Sequence, residues 1–125
     1  MTQAQNRAQR LQDVLETLTT RTPDVLGASI VSSDGLLIAR VLPTGSEEAS
    51  IGGMASILHS LGSRVVGELR LGSLKRVMIN GEDGNVLMVR AGDGALLITL
   101  MRRDAALGLV FLDVARASEA IENIL

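Results

Sequence analysis

The chain has 125 residues, the size of one domain, and 46% of them are apolar, which is enough for a substantial core. A formal net charge of −2 and a single aromatic residue, Phe111, exclude a general basic surface and aromatic stacking platforms for nucleic acid. The absence of cysteine excludes disulfides and thiolate metal sites and allows a reducing compartment.

The first part of the chain predicts a helix followed by a hairpin. Apolar residues recur at helical spacing within Ala4–Thr20, and Pro23 ends this segment because the residue before a proline disfavours helical backbone. β-branched residues favour a strand over Gly27–Ser32, and the turn Ser33–Gly35 leads into a second strand, Leu36–Leu42.

A long helix is predicted over Ser46–Arg70, with Ser46 as its N-cap and Glu47 and Glu48 in its first turn. At about 100° per residue, one face is apolar and is expected to pack on the core. Its residues are Ile51, Met54, Ala55, Leu58, Leu61, Val65 and Leu69. The opposite face carries small residues, which are Gly52, Gly53, Ser56, Ser60, Ser63 and Gly67.

The small-residue face predicts a surface on which another helix or protein docks. Each glycine inside a helix costs about 1 kcal/mol relative to alanine, and close approach of a second surface would offset that cost. His59 and Arg64 lie toward the borders of this face. Two alternatives remain: Gly52 and Gly53 belong to a frayed first turn, or the helix breaks at Gly62.

Three further strands and a last helix complete the chain. Glycine-containing turns separate the predicted strands, which are Leu74–Asn80, Val86–Ala91 and Ala95–Met101. The connector Arg102–Ala106 leads into the predicted helix Ala106–Ile124. The last helix has an apolar stripe formed by Val110, Val114, Ala117, Ile121 and Ile124. We expect one domain over residues 1–125.

The strands are apolar on both faces, as in Leu36–Ile38, Val86–Val89 and Leu96–Ile98. An antiparallel sheet with one wet face would alternate apolar and polar residues, so this sheet must be covered on both sides. The sequence therefore predicts an α+β domain of three layers, α/β/α, in the order α-β-β-α-β-β-β-α. The long helix would cover one face and the two terminal helices the other.

The third strand is expected at the edge of the sheet, where only two basic residues guard it against pairing. The residues assigned to this edge are Lys75, Arg76, Val77, Met78 and Ile79. Two copies would join edge to edge and place their long helices side by side in an isologous dimer.

The residues that could carry chemistry favour structural roles. His59 has no cysteine, histidine or acidic cluster beside it to complete a metal site. The three aspartates that precede a glycine suit tight turns better than acid–base catalysis; they are Asp34, Asp83 and Asp93. Gly92 and Gly94 join two strands, whereas a phosphate loop opens a helix.

Two arginines, Arg64 and Arg70, flank the small-residue face. An arginine can stabilise charge in phosphoryl transfer, but contact at the rim of an interface is the simpler interpretation. We therefore expect neither metal nor cofactor, and no catalytic residues of the chain's own.

Targeting signals are not evident in the sequence. The segment that follows Met1 has no apolar core of a signal peptide, and the longest apolar runs, Ala95–Met101 and Leu107–Leu112, are too short to span a bilayer. These observations predict a cytoplasmic protein without a membrane partner.

The order and spacing of these elements resemble the Roadblock family of dynein light-chain-like proteins. The resemblance covers about residues 8–125. It is carried by VLGASIVSSDGLLIAR (Val25–Arg40), GSLKRVMIN (Gly72–Asn80), GNVLMVRAGDGALLITL (Gly84–Leu100) and LGLVFLDVARASEAI (Leu107–Ile121). No single motif is diagnostic, and the specificity lies in their order.

The resemblance implies a homodimer with one continuous sheet and the two long helices on one surface. Prokaryotic members often regulate a small Ras-like GTPase, and one well-known example is a gliding-motility regulator that stimulates GTP hydrolysis. Such a regulator resets the catalytic residues of the GTPase and inserts no arginine finger. The resemblance therefore implies a role in signalling or cell polarity.

Two other function classes are weighed against this one. A small-ligand sensor would need a pocket between sheet and helix, and the strands offer little inward polarity beyond Thr99. An enzyme would need a nucleophile–base pair or a metal set, and one histidine without cysteine provides neither.

Overall fold

The computed structural model describes the backbone of residues 3–43 and 48–125, and the side chains of residues 6–43 and 50–125. The elements are α1 (Gln3–Arg21), β1 (Val25–Ser32), β2 (Leu37–Val41), α2 (Glu48–Glu68), β3 (Arg76–Asn80), β4 (Gly84–Arg90), β5 (Ala95–Arg102) and α3 (Leu107–Ile124). All eight predicted elements are present, and their described ends lie within two residues of the predicted ones. The predicted N-cap Ser46 and the first-turn residue Glu47 lie outside the described residues.

The five strands form one antiparallel sheet in the order β2-β1-β5-β4-β3. Strand β1 pairs with β2 on one side and with β5 on the other, so that Ser29 stands between Arg40 and Ile98. Strands β3, β4 and β5 form the predicted meander. The prediction that the third strand lies at the edge is confirmed, and β2 is the opposite edge.

The larger core lies between the sheet and the two terminal helices. Leu15 of α1, Leu97 and Met101 of β5, and Ile121 of α3 are completely buried there. The apolar stripe predicted for α3 is buried from Val110 to Ile121. The terminal helices therefore share one face of the sheet, as predicted.

Helix α2 lies on the other face over a smaller core, which comprises Val31, Ala55, Met88 and Leu96. The predicted three layers are confirmed. The helix is continuous through Gly62, which contradicts a break at that residue.

The predicted orientation of α2 about its own axis is partly wrong. Ala55 of the expected core face is buried and Leu58 packs beside it, but Met54, Leu61 and Val65 of that face are exposed, and Gly52 of the small-residue face is buried instead. Half of the small-residue face therefore packs on the protein's own sheet, and most of the bulky apolar residues point away from it.

The glycine turns have the structural role that the sequence predicted. Asp34, Asp83 and Asp93 all lie in the connections between paired strands. Gly35 and Gly92 have φ values of 92° and 80°, which glycine adopts without the steric cost that other residues carry. The aspartates thus serve tight turns.

Candidate docking surface on the long helix

Four large apolar side chains form a row along the outer side of α2. We call this row the α2 stripe; its exposed fractions are Met54 55%, Ile57 67%, Leu61 59% and Val65 46%. The spacing of three, four and four residues places them on one side of a helix. A contiguous apolar row of this kind on a protein surface is typical of an interaction site.

The orientation of α2 follows from a close backbone contact at its N-terminal part. A β-carbon placed on Gly52 would overlap the carbonyl oxygen of Gly35 in the β1–β2 turn, so only glycine fits there. One turn later, the Ser56 hydroxyl donates a hydrogen bond of 3.0 Å to the carbonyl oxygen of Ser33. These contacts hold the small residues against the hairpin and leave the bulky residues outside.

The C-terminal half of α2 approaches β3. A β-carbon on Gly62 would lie 3.0 Å from a methyl group of Leu74 and 3.4 Å from a methyl group of Val77. The helix thus runs from the β1–β2 turn to the start of β3. The α2 stripe and the β3 edge therefore adjoin on one side of the molecule.

The residues that the sequence assigned to a partner site fall into two groups. Gly52 and Ser56 contact the chain's own hairpin, and His59 and Ser63 are half-buried. Four members remain exposed, namely Gly53, Ser60, Arg64 and Gly67. At 100° per residue these four share a flank of α2 next to the α2 stripe.

The two arginines that the sequence singled out lie at the surface, one on α2 and one just beyond its end. Arg64 Nε donates to Glu68 Oε1 at 3.0 Å, an exposed ion pair within one helix. Arg70 follows α2 in a left-handed conformation, with φ at 55°, and its side chain is exposed. Within the described ranges, no group of three or more potential metal ligands is found, and His59 therefore has no partners for a metal site there.

The two edges of the sheet differ in how they are covered. On β2, the side-chain amide of Gln12 from α1 donates a hydrogen bond of 2.8 Å to the carbonyl oxygen of Arg40. On β3, no side chain among the described residues bonds to the backbone. Among the described residues, β3 is therefore the edge whose outward backbone groups have no bond from a side chain, whereas β2 has one such bond.

The hairpin geometry shows which groups on β3 face outward. The amide of Gly81 donates to the carbonyl oxygen of Gly84 at 2.8 Å and closes the β3–β4 hairpin. Hydrogen-bonded and non-hydrogen-bonded pairs alternate along the two strands from that turn, so the pair Met78–Leu87 is non-hydrogen-bonded. The backbone N–H and C=O groups of Met78 therefore point away from β4, toward the outer edge of the sheet.

The side chains assigned to this edge are partly accessible. Arg76 and Ile79 are exposed, and Val77 and Met78 are half-buried. Lys75 is exposed and precedes the strand by one residue. The guanidinium of Arg76 lies 4.8 Å from the ring centre of Phe111 on α3, which turns this charge away from the α2 side of the edge.

Comparison with known proteins agrees with this arrangement of elements. The model of the Roadblock/LC7 domain family matches residues 11–101. The chain belongs to the Roadblock/LC7 family. The resemblance noted in the sequence is thereby confirmed.

Relatives and solved structures match this Roadblock/LC7 protein over most of its length. An uncharacterized protein of Methanocaldococcus jannaschii is 37% identical over 102 residues, covering 82% of this chain and 89% of its own. The gliding protein mglB of Thermus thermophilus superposes with a TM-score of 0.86 at 23% identity, covering 94% of this chain and 90% of its own. A structure described as MglB with a tetrameric arrangement gives a TM-score of 0.87 at 22% identity, covering 94% of this chain and 89% of the MglB chain. At these identities the structural likeness establishes a shared fold.

The sequence did not identify the α2 stripe as exposed. Met54, Leu61 and Val65 were assigned to the core because they are apolar and periodic, and Ile57 was assigned to neither face. The signal that could have found the stripe is the Gly52–Gly53 pair, since only a glycine allows the backbone contact with Gly35. In the described part of the chain no helix is long and apolar enough to cross a membrane.

Proposed function

We propose that this Roadblock/LC7 protein is a homodimeric regulator that binds a small Ras-like GTPase and modulates its nucleotide cycle. The observation that carries the proposal is the exposed α2 stripe beside the unpaired β3 edge. The family assignment and the fold shared with the gliding protein mglB support it. The tetrameric arrangement described for one MglB structure supports self-association in this fold.

In the proposed dimer, two β3 strands pair in antiparallel fashion through the outward groups of Met78 and its neighbours. A two-fold axis at this edge brings the α2 helices of the two copies together, because each α2 ends over its own β3. The apolar α2 stripe suits this contact, since permanent interfaces between identical subunits are more apolar than transient ones.

The GTPase is proposed to bind the flank of α2 formed by Gly53, Ser60, Arg64 and Gly67. These residues are exposed, and a β-carbon added to either glycine would have no atom of the described residues within 4 Å. A second protein could therefore approach the α2 backbone closely there. This flank carries polar and small residues, and such a surface suits a transient partner better than the apolar surface of the α2 stripe.

Any effect on hydrolysis would act through the GTPase's own active site. Arg64 is the basic residue on the proposed flank, and its pairing with Glu68 makes it a rim contact in this proposal. In this proposal, no side chain of this chain takes part in the hydrolysis of GTP.

Co-purification with a Ras-like GTPase in its GDP and GTP-analogue states tests the proposal. The Ser60→Arg variant should bind the GTPase at least tenfold more weakly and keep its dimer mass, because the new side chain covers the flank and touches no core atom. The matched control is Thr20→Arg, an exposed position on α1 at the opposite face of the sheet. Equal GTPase binding by the Ser60→Arg variant and the wild type would contradict the assigned flank, and no binding by the wild type in either nucleotide state would contradict the proposed function.

A further inference from the structure

A groove lies between α1 and α3, on the face of the sheet opposite α2, and its volume is about 290 Å³. Val14, Thr17 and Leu18 of α1 line one side, and Ala117 and Ala120 of α3 line the other. The two alanines leave space that larger side chains would fill. Helix α1 lies over β1 and β2, and α3 separates the groove from β3. Neither the proposed dimer contact nor the proposed GTPase contact therefore covers this groove.

Charged side chains of both signs lie together at one end of the groove. The two helices are antiparallel, because Thr22 just after α1 bonds to Asp113 near the start of α3, whereas Ile124 at the end of α3 lies beside the first half of α1. Arg21 at the end of α1 therefore lies at the same end of the groove as Asp113. Arg116 follows one turn later on α3, and all three charged side chains line the groove.

Asp113 is held in position and keeps one carboxylate oxygen available. The hydroxyl of Thr22 donates a hydrogen bond of 2.7 Å to Asp113 Oδ2. Thr22 is buried, its amide donates to the carbonyl oxygen of Leu18, and its own carbonyl oxygen accepts from the amide of Val25. Within the described residues Asp113 Oδ1 accepts no hydrogen bond, and Arg116 Nη1 approaches it only to 3.8 Å. The Asp113 side chain is 30% exposed, so a molecule in the groove can reach it.

The basic groups are equally accessible. The Arg116 side chain is 71% exposed, and an exposed ion pair as loose as the one with Asp113 contributes little to stability, so that opening it for a ligand costs little. Arg21 is exposed and forms no ion pair with another described residue. The remaining charge of the lining, Asp13, lies about 12 Å from Arg21 along α1, where Gln9 donates to it at 2.9 Å.

We propose that this groove binds a free apolar amino acid as its zwitterion. The ammonium group donates to Asp113 Oδ1, the carboxylate accepts from the guanidinium of Arg116 with Arg21 beside it, and the apolar side chain lies between the two helices. Charge-assisted hydrogen bonds of this kind are the strong ones. A singly charged ligand would leave one of these groups unmatched and would meet a like charge beside its partner.

The size of the groove selects the larger apolar amino acids. A cavity of about 150 Å³ holds benzene, so a groove of about 290 Å³ suits about 12 non-hydrogen atoms, the number in phenylalanine. This site is independent of GTPase regulation. It also differs from the ligand pocket weighed in the sequence, because it lies between two helices and not between sheet and helix.

Isothermal titration calorimetry of the wild-type protein with three probes tests the recognition of both charges. Phenylalanine carries both groups, phenethylamine lacks the carboxylate, and 3-phenylpropionate lacks the ammonium group. Phenylalanine should bind saturably, and each singly charged probe should bind about tenfold more weakly or worse, because it loses one charge-assisted hydrogen-bonding group.

Charge-removing variants test the two ends of the zwitterion. Asp113→Asn keeps an acceptor for the Thr22 hydroxyl, and Arg116→Gln changes an exposed side chain, so both variants should fold and should bind phenylalanine about tenfold more weakly. The matched controls are Asp104→Asn and Arg103→Gln. That pair is also 3.8 Å apart and exposed but lies outside the groove, so the affinity should not change.

A third variant tests the groove itself. Ala120 is half-buried and lines the groove, so Ala120→Phe should fill the space and abolish phenylalanine binding. A melting curve followed by circular dichroism checks that this variant folds.

Four results would overturn the proposal. One is the lack of saturable phenylalanine binding up to about 10 mM ligand. Another is equal affinity for phenylalanine and either singly charged probe, because one of the two charges would then have no role. An equal loss of affinity in Asp113→Asn and Asp104→Asn would indicate a general charge effect. Undiminished binding by folded Ala120→Phe would place the ligand elsewhere.

Discussion

Individual glycines determine how α2 packs on the sheet. At Gly52 the backbone of α2 meets the carbonyl oxygen of Gly35, and no side chain of any size fits between them. A β-carbon added at Gly53 or Gly67 would have no atom of the described residues within 4 Å. The helix-propensity cost of Gly52 is therefore offset within the chain, whereas no contact among the described residues offsets that of the other two.

Adjacent glycine-to-alanine substitutions should have opposite effects on stability. Gly52→Ala forces two backbone segments apart and should lower the free energy of unfolding by about 2 kcal/mol or more. Gly53→Ala adds a methyl group in open space and should raise it by up to about 1 kcal/mol. Urea unfolding of both variants at one protein concentration measures the difference, and equal effects would show that the contact with Gly35 is not formed.

Among the elements, the strands and terminal helices could be predicted from sequence, and the rotation of α2 could not. Glycine turns and apolar runs without alternation are local signals, and they correctly placed Val86 and Leu97 in a sheet covered on both faces. The orientation of α2 depends on contacts of Gly52 and Ser56 with residues about 20 positions earlier. Periodicity showed two faces of α2, but the side that is buried lies between them and takes Ala55 from one and Gly52 from the other.

The same rotation of α2 explains why the candidate site was only partly predicted. Gly53, Ser60, Arg64 and Gly67 were assigned to a docking face and are exposed, although their role in binding is still a prediction. The α2 stripe was missed because sequence patterns do not distinguish an apolar face that packs on its own core from one that packs on another molecule. That distinction needs the tertiary structure.

A charge in the α2 stripe should separate the two copies of the proposed dimer. Leu61→Glu places a carboxylate in a contact that is apolar on both sides, so we expect a monomer at micromolar concentrations. Leu109→Glu on α3 is the matched control, because Leu109 is similarly exposed at 64% and lies outside the α2 stripe. Light scattering after size-exclusion chromatography gives the masses, and an unchanged dimer in the Leu61→Glu variant would remove the α2 stripe from the interface.

For the molecule as a whole, assembly and stability should be linked. The face of the sheet under α2 has only a small core, so a second copy that covers part of this side would stabilise the folded state. A dimer stabilised in this way melts at a temperature that depends on protein concentration.

The melting temperature should therefore rise by several degrees between about 1 and 100 μM protein, as mass action requires for a dimer. The Leu61→Glu variant should show no such rise. Differential scanning calorimetry at several concentrations provides the measurement, and a wild-type melting temperature that is independent of concentration would indicate a monomer.

The Gln12 bond to Arg40 has a consequence for how large an assembly can become. If both outer strands were available, sheets could add to one another without end and produce fibres. The Gln12 amide already occupies one carbonyl oxygen of β2, so in the proposed dimer we expect growth through strands to stop once two β3 strands have met. On this proposal, one glutamine on the first helix contributes to making the association self-limiting.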